Sequence, residues 1–423
     1  GDWSSDVYSS DLALAMSVVN KLEENAERAE VLIQRLHSAA AGGEKKSIAP
    51  LPVTKAAAMV GCTPTHVRNL IKRDELSEDQ HYISQVSGQT KYLITLEGVQ
   101  KIRELSNHVV SRPTGTDGII ISCANLKGGV GKTVTNVNLA QYAAREGFKV
   151  LLVDGDPQAT ATGLFDYVPD RDIEGEETAF PSMVGDVPVT DIKNSIRKTY
   201  WYGLDLIPAC LDLQNVDYIL ANPQRQAELG GDPLLRLREG LEPLTKEYDL
   251  IIVDSPPSMG MLAMNVIMAA NYLIIPVAPT VIDASSTGSY FSILSTIGNL
   301  RSQNGDDMEW MERINVLLTR HSGTAEDNNT TALLFAAYGD LVMTNHIVET
   351  KEIRKGANDV KSLYEIDAPR GSRQTWLRAI TSFDSVFEEI MKNCSMIWRD
   401  RLFNNQSESQ VEATGHIAEA ING

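Results

Sequence analysis

The segment Asn125-Leu126-Lys127-Gly128-Gly129-Val130-Gly131-Lys132-Thr133 lies between an apolar, β-branched run, Ile119 to Ser122, and a helical stretch that begins Asn136-Val137-Asn138-Leu139-Ala140. Few arrangements restrict a chain as strongly. Glycines at these spacings let consecutive backbone N–H groups turn toward one anion, and the helix that follows adds the positive end of its dipole. Lys132 then places a point charge at the β and γ positions of a polyphosphate, and Thr133 offers a hydroxyl to Mg²⁺. Lys127 through Val134 form the cradle. The strict pattern asks for Gly at position 126, where this chain has Leu.

A loop of this kind needs a buried strand to deliver it and further strands beside it. From Gly118 onward, apolar β-branched runs alternate with helical stretches: Ile119 to Ser122, Val150 to Val153, Leu204 to Ile207, Leu250 to Val253, Tyr272 to Val277 and Ile314 to Leu318. Strands that are apolar on both faces belong to a parallel sheet covered by helices on both sides. The expected fold is therefore α/β. Acidic residues Asp170 to Thr178 read as an exposed insert.

The ends of these strands carry the remaining chemistry. Asp254 closes the Leu250 to Val253 run and can hold Mg²⁺ directly or through its water shell. Ser255-Pro256-Pro257 follows as a stiff turn. The run Val153-Asp154-Gly155-Asp156-Pro157-Gln158 ends a second strand with two carboxylates and an amide, and an acid there can orient Mg²⁺-bound or attacking water. Thr319 and Arg320 end a third strand, where such folds often wall the base of a nucleotide.

Ahead of this unit the pattern differs. Leu12, Ala15, Val19, Leu22, Ala26, Ala29, Ile33 and Leu36 alternate spacings of three and four, which predicts one long helix, read as a dimerisation arm over residues 1–45. Residues 46–110 read as a winged helix-turn-helix: Thr54 capping a short Ala-rich helix, a turn at Gly61, and Thr63-Pro64 opening a second helix. That helix puts Val67, Leu70 and Ile71 inward, and Thr65, His66, Arg68, Asn69, Lys72 and Arg73 toward base edges or phosphates. Tyr82 to Ser84 and Tyr92 to Ile94 form the wing, and a helix from Leu96 to Leu105 closes the unit. Residues 111–403 are assigned to the α/β unit and 404–423 to a polar tail.

Composition bears on partners. The chain has 423 residues, 22% charged, with a formal net charge of −18. Contact with nucleic acid must therefore come from local basic surfaces and fall steeply with salt. Cys62, Cys123, Cys210 and Cys394 are scattered, which argues against a disulfide framework, a zinc site or an iron–sulfur cluster and fits a reducing cytoplasm. The sequence has neither a secretory leader nor an apolar run long enough to span a bilayer, and the polar, acidic C-terminal region is a poor membrane anchor.

Together, K-G-G-x-G-K-T with its upstream lysine, D-x-D-P-Q and h-h-h-D-S-P-P resemble the ParA/MinD group of ATPases, over roughly Ile119 to Phe383. The preceding arm and helix-turn-helix look like the longer, plasmid-type ParA proteins. In that group the first motif position is often not Gly, so Leu126 fits. The resemblance implies ATP/ADP and Mg²⁺ as cofactors and a slow, DNA-linked ATPase. It implies that Lys127 reaches across a homodimer to the partner's phosphates, that Asp156 is the switch carboxylate needed for hydrolysis, and that Asp254 is its counterpart in the second switch. It further implies an ATP-bound dimer on nonspecific DNA, a stimulating ParB-like partner, nucleoid association, and repression of the chain's own operon. The nonspecific surface is sought at Lys351, Arg354 and Lys355, with Lys361, Arg370, Arg373 and Arg378 nearby.

Overall fold

The computed structural model of the chain describes residues 46–86, 89–306, 308–353, 360–366 and 372–422, with scattered helical positions between 20 and 32. The arm residues Leu12 to Leu36 named above lie outside the described residues, as do Arg354, Lys355 and Arg370.

Seven strands make the main sheet, in the order β10-β9-β4-β8-β5-β7-β6. They are β4 (Ile119–Cys123), β5 (Val150–Asp154), β6 (Arg197–Lys198), β7 (Leu204–Ile207), β8 (Leu250–Asp254), β9 (Tyr272–Val277) and β10 (Arg313–Leu318). All neighbours are parallel except the edge pair β6 and β7. The six strands expected from the apolar runs are present within a residue at each end. The two-residue edge strand β6, whose polar Arg-Lys has no apolar pattern, is an addition. Ile119, Ile121 and Cys123 face a core shared with the Lys132–Glu146 helix and with Phe383, Phe387 and Ile390 of the helix Arg373–Asn422. Ile120, Leu151 and Val153 face the opposite layer with Leu262 and Val266, so helices cover both faces.

The acidic stretch Asp170 to Thr178 is only partly an exposed insert. Ile173 and Thr178 are buried, and a Cβ on Gly175 would lie 2.5 Å from the Asp212 carboxylate. The apolar Ile173 and the side-chainless Gly175 draw the middle of the stretch onto the body.

In the N-terminal unit, helices Val53–Val60 and Pro64–Lys72 are joined by Gly61 in the left-handed conformation (φ +77°). Thr63 caps the second, accepting from the His66 N–H. The first begins two residues earlier than a cap at Thr54 would place it, with Pro52 as its uncapped start, because the short strand β1 (Leu51–Pro52) runs straight into it. Strands β2 (His81–Val86) and β3 (Gln89–Ile94) form the hairpin, β1 pairs with β3, and the Leu96–Leu105 helix follows. Val67, Leu70 and Ile71 are buried with Val60, Val99 and Ile102 in a separate core.

Candidate functional site

β4 lies inside the sheet between β8 and β9, and the chain leaves its carboxyl end into the glycine loop. In a parallel sheet this edge, where connections diverge to either side, is where ligands bind. Gly129 (φ +76°) and Gly131 (φ +91°) take the left-handed conformation, and Gly131 starts the Lys132–Glu146 helix without a side-chain cap. That leaves the helix's first N–H groups for an anion.

Lys132 is buried. Its Nζ donates to the Lys127 carbonyl at 3.0 Å, and burial pushes its pKa down against the opposing pull of Asp254 and Asp156. The ammonium is held inside the loop by one backbone oxygen, in a place a phosphate can take over. Lys127 extends outward, half exposed, and forms an ion pair with Asp283.

β8 brings Asp254 to the same edge, in register with Asp154 of β5. Asp254 Oδ1 accepts from Asn136 Nδ2 at 2.8 Å, while the fully buried Oδ2 has no hydrogen-bond partner among the described residues. The Thr133 hydroxyl leans on this carboxylate and helps hold its pKa down, yet burial wins and raises it to about 6. A buried carboxylate oxygen without a partner, beside a helix-start hydroxyl, fits a hard cation that borrows its other ligands from phosphate and water. No group of three or more His, Cys, Asp or Glu gathers into a self-sufficient metal cage among the described residues.

Asp156 is largely buried at the exit of β5, one oxygen accepting from the Gln158 N–H at 2.9 Å, and burial raises its pKa. Asp154 carries a structural load that sequence reasoning passed over. Its Oδ2 accepts from both the N–H and the hydroxyl of Thr162 at 2.7 Å, and its Oδ1 takes the Asp156 N–H at 3.2 Å. Asp154 thus fixes the turn that presents Asp156. Burial, then the nearby Asp254, raises its pKa to about 7. Its signal was the first acid of D-x-D.

Beside the loop opens a cavity of about 340 Å³, lined among others by Gly129, Val134, Thr319, Arg320, Val348 and Phe383. Thr319 donates to the Val130 carbonyl at 2.8 Å, and Arg320, in the left-handed region at φ +55°, reaches the Gly129 carbonyl at 3.3 Å. Thr319 and Arg320, the two residues expected to wall a base, both line this cavity. Ile347 to Ile353 supplies the facing wall, which no periodicity announced.

Of the proposed DNA-facing residues, Thr65, Arg68, Asn69, Lys72 and Arg73 are exposed on one helix and its end. His66 turns back, its Nε2 3.0 Å from the Ser106 hydroxyl. Lys351, Lys361, Arg373 and Arg378 are exposed.

Residues 118–309 match the family described as AAA domain. Protein SopA of Escherichia coli is 32% identical over 344 residues, 80% of this chain and 86% of SopA. Sporulation initiation inhibitor protein Soj of Bacillus subtilis is 41% identical over 161 residues, 38% of this chain and 58% of Soj. A solved structure described as a partition protein superposes with a TM-score of 0.64 at 19% identity, over 88% of this chain and 98% of that one, which shows a shared fold.

Proposed function

Because this chain belongs to the ParA-type partition ATPases, we propose that it hydrolyses ATP slowly as a DNA-bound homodimer and reads operator DNA through its N-terminal unit. The observation that carries the reading is the convergence, at the carboxyl ends of β4, β5 and β8, of Lys132, Thr133, Asp156 and the open oxygen of Asp254. Thr133 and Asp254 would hold Mg²⁺. When bound, that ion neutralises charge on the β and γ phosphate oxygens.

The chain's own residues do the rest. The loop amides and Lys132, released from the Lys127 carbonyl, bind the transferred phosphoryl group where charge develops. Asp156, fixed by Asp154, orients the attacking water. Thr319, Arg320 and the cavity beside them seat the base and ribose. Lys127 reaches the phosphates of the partner subunit. Turnover is slow on its own and is raised by a ParB-like partner. The dimer lies on nonspecific DNA through Lys351 and the cations that follow it, which associates it with the nucleoid, while Arg68, Asn69 and Lys72 read an operator and repress transcription. No helix among the described residues is long and apolar enough to cross a membrane, and we propose no stable membrane association.

The test is ATP hydrolysis with and without nonspecific duplex DNA at low and high salt, for wild type, Lys127→Ala and Asp156→Ala. Slow turnover that DNA raises at low salt and that both substitutions abolish supports the proposal. Turnover indifferent to DNA favours a nucleotide-sensing repressor.

A further inference from the structure

Both ends of the Lys132–Glu146 helix are engaged. One end is the phosphate loop. At the other, Gln100 Nε2 donates to the Ala144 carbonyl at 3.1 Å and Arg103 Nη1 to the Arg145 carbonyl at 2.7 Å. These belong to the last turn, where the Ala144 carbonyl also accepts from the Gly147 N–H at 3.1 Å. Arg103 also turns Nη2 onto the Met59 carbonyl at 3.0 Å, in the last turn of the Val53–Val60 helix, and lies 3.7 Å from the Glu146 carboxylate. One guanidinium, 2% exposed, therefore ties the end of the phosphate-loop helix to the end of a helix in the N-terminal unit.

The junction is built to admit it. The phosphate-loop helix ends at Gly147 with φ +115°, and a Cβ there would come within 3.1 Å of Gln100 Oε1 and 3.2 Å of Arg103 Nη1. His108 Nδ1, 2.9 Å from the Val60 carbonyl, holds the same end of the N-terminal helix. Burying a guanidinium is costly, and an apolar residue would fill the space with less desolvation, so the fork is better explained by the orientation it imposes than by bulk stability. Without it the two units would meet here through the single Gln100 hydrogen bond and through Leu96, Leu51 and Met59, apolar contacts with little directional preference.

We propose that Arg103 is the positioning residue through which nucleotide at the phosphate loop sets the orientation of the Pro64–Lys72 helix, and with it the affinity for sequence-specific DNA. The helix between them is 15 residues, or about 22 Å, of continuous hydrogen-bonded rod. A shift of its first turn on phosphate binding is carried to Arg145, and Arg103 passes it to Met59 and the helix pair. The DNA consequence rests on the reading of that helix given under Proposed function; the mechanical coupling does not.

The experiment uses the full chain as wild type, Arg103→Met, Arg103→Lys and Gln100→Ala. Affinity is measured with and without Mg-ADP on a duplex selected by the wild-type chain from a random pool, alongside hydrogen exchange of residues 53–105. Mg-ADP is expected to change wild-type affinity roughly tenfold and to alter exchange across the Pro64–Lys72 helix. In Arg103→Met both effects vanish while ADP binding is kept. Arg103→Lys, able to reach one carbonyl at a time, and Gln100→Ala retain part of them, and these two decide the matter if Arg103→Met does not fold. The proposal is overturned if the substituted chains bind ADP and keep the full wild-type response, or if ADP leaves wild-type exchange in residues 53–105 unchanged. If the pool yields no preferred duplex, the DNA-reading assignment fails, and the exchange measurement still accepts or rejects the coupling.

Discussion

Lys127 of the phosphate loop is ion-paired with Asp283, the third residue of the Val281–Gln303 helix of the same chain. Asp283 is itself fixed: its N–H donates to the Thr280 hydroxyl at 3.1 Å, and that hydroxyl donates back to Asp283 Oδ2 at 2.6 Å. For Lys127 to reach a second subunit's phosphates, as proposed above, it must first leave this pair. Asp283→Asn is expected to favour ATP-dependent self-association by about 0.5–1 kcal/mol, the scale of a partly exposed ion pair. Sedimentation velocity with ATP and a slowly hydrolysed analogue measures it. Weakened association would instead make Asp283 part of the contact between subunits.

The acids at the sheet edge predict a pH dependence. Burial raises Asp254 to about 6 and Asp154 to about 7, against an unfolded value of about 3.9. Such groups bind their protons more tightly folded than unfolded, so their contribution favours the folded chain fully below the unfolded value and is lost as pH rises through the folded values. In Asp254→Asn, the neutral amide removes one group from this linkage. Its melting temperature relative to wild type, in EDTA and without nucleotide, should rise from pH 5 to pH 8. Parallel curves for the two proteins would reject the assignment.

How much of this was legible follows from where each signal lies. The phosphate loop, Asp254 and the D-x-D turn are local: residue types in a short window force a backbone geometry, and the structure puts Lys132, Thr133, Asp156 and Asp254 at one edge. The buried strands were legible because period and apolarity agree. Asp283, Arg103 and the Ile347 to Ile353 wall were not, because each acts on a partner remote in sequence. Nothing in Leu96 to Leu105 marks Arg103 as buried rather than solvated. The contact of His66 was hidden in the same way, since Ser106, 3.0 Å from its Nε2, lies at the end of another helix.

On the proposed DNA-reading role of the Pro64–Lys72 helix, its exposed face would separate two kinds of contact. Arg68 and Asn69 lie in its middle, where a helix seated in the major groove would meet base edges, while Lys72 and Arg73 lie at its end, where they would meet phosphate. Arg68→Ala is expected to cost ~1–3 kcal/mol on a selected duplex and to relax preference at one base position. Lys72→Ala should weaken binding to all sequences alike and reduce the salt slope by about one ion. Fluorescence anisotropy across a salt series distinguishes them. Equal loss on selected and random DNA for Arg68→Ala would remove it from base reading.

Gly147 offers the sharpest test of the junction between the units. At φ +115° it lies where a side chain is strained whatever the space, and the space is already taken by Gln100, Arg103 and Val110 Cβ at 3.4 Å. Gly147→Ala should destabilise the chain by about 1–3 kcal/mol, and relief must come either from the backbone turn into Phe148 or from withdrawal of Arg103. The two routes differ in what they leave behind. Relaxation of the turn lowers the melting temperature and leaves the ADP response of residues 53–105 intact, whereas withdrawal of Arg103 lowers both. Calorimetry with hydrogen exchange reads the two together, and an Ala variant as stable as wild type would mean that the helix does not end in this conformation in solution.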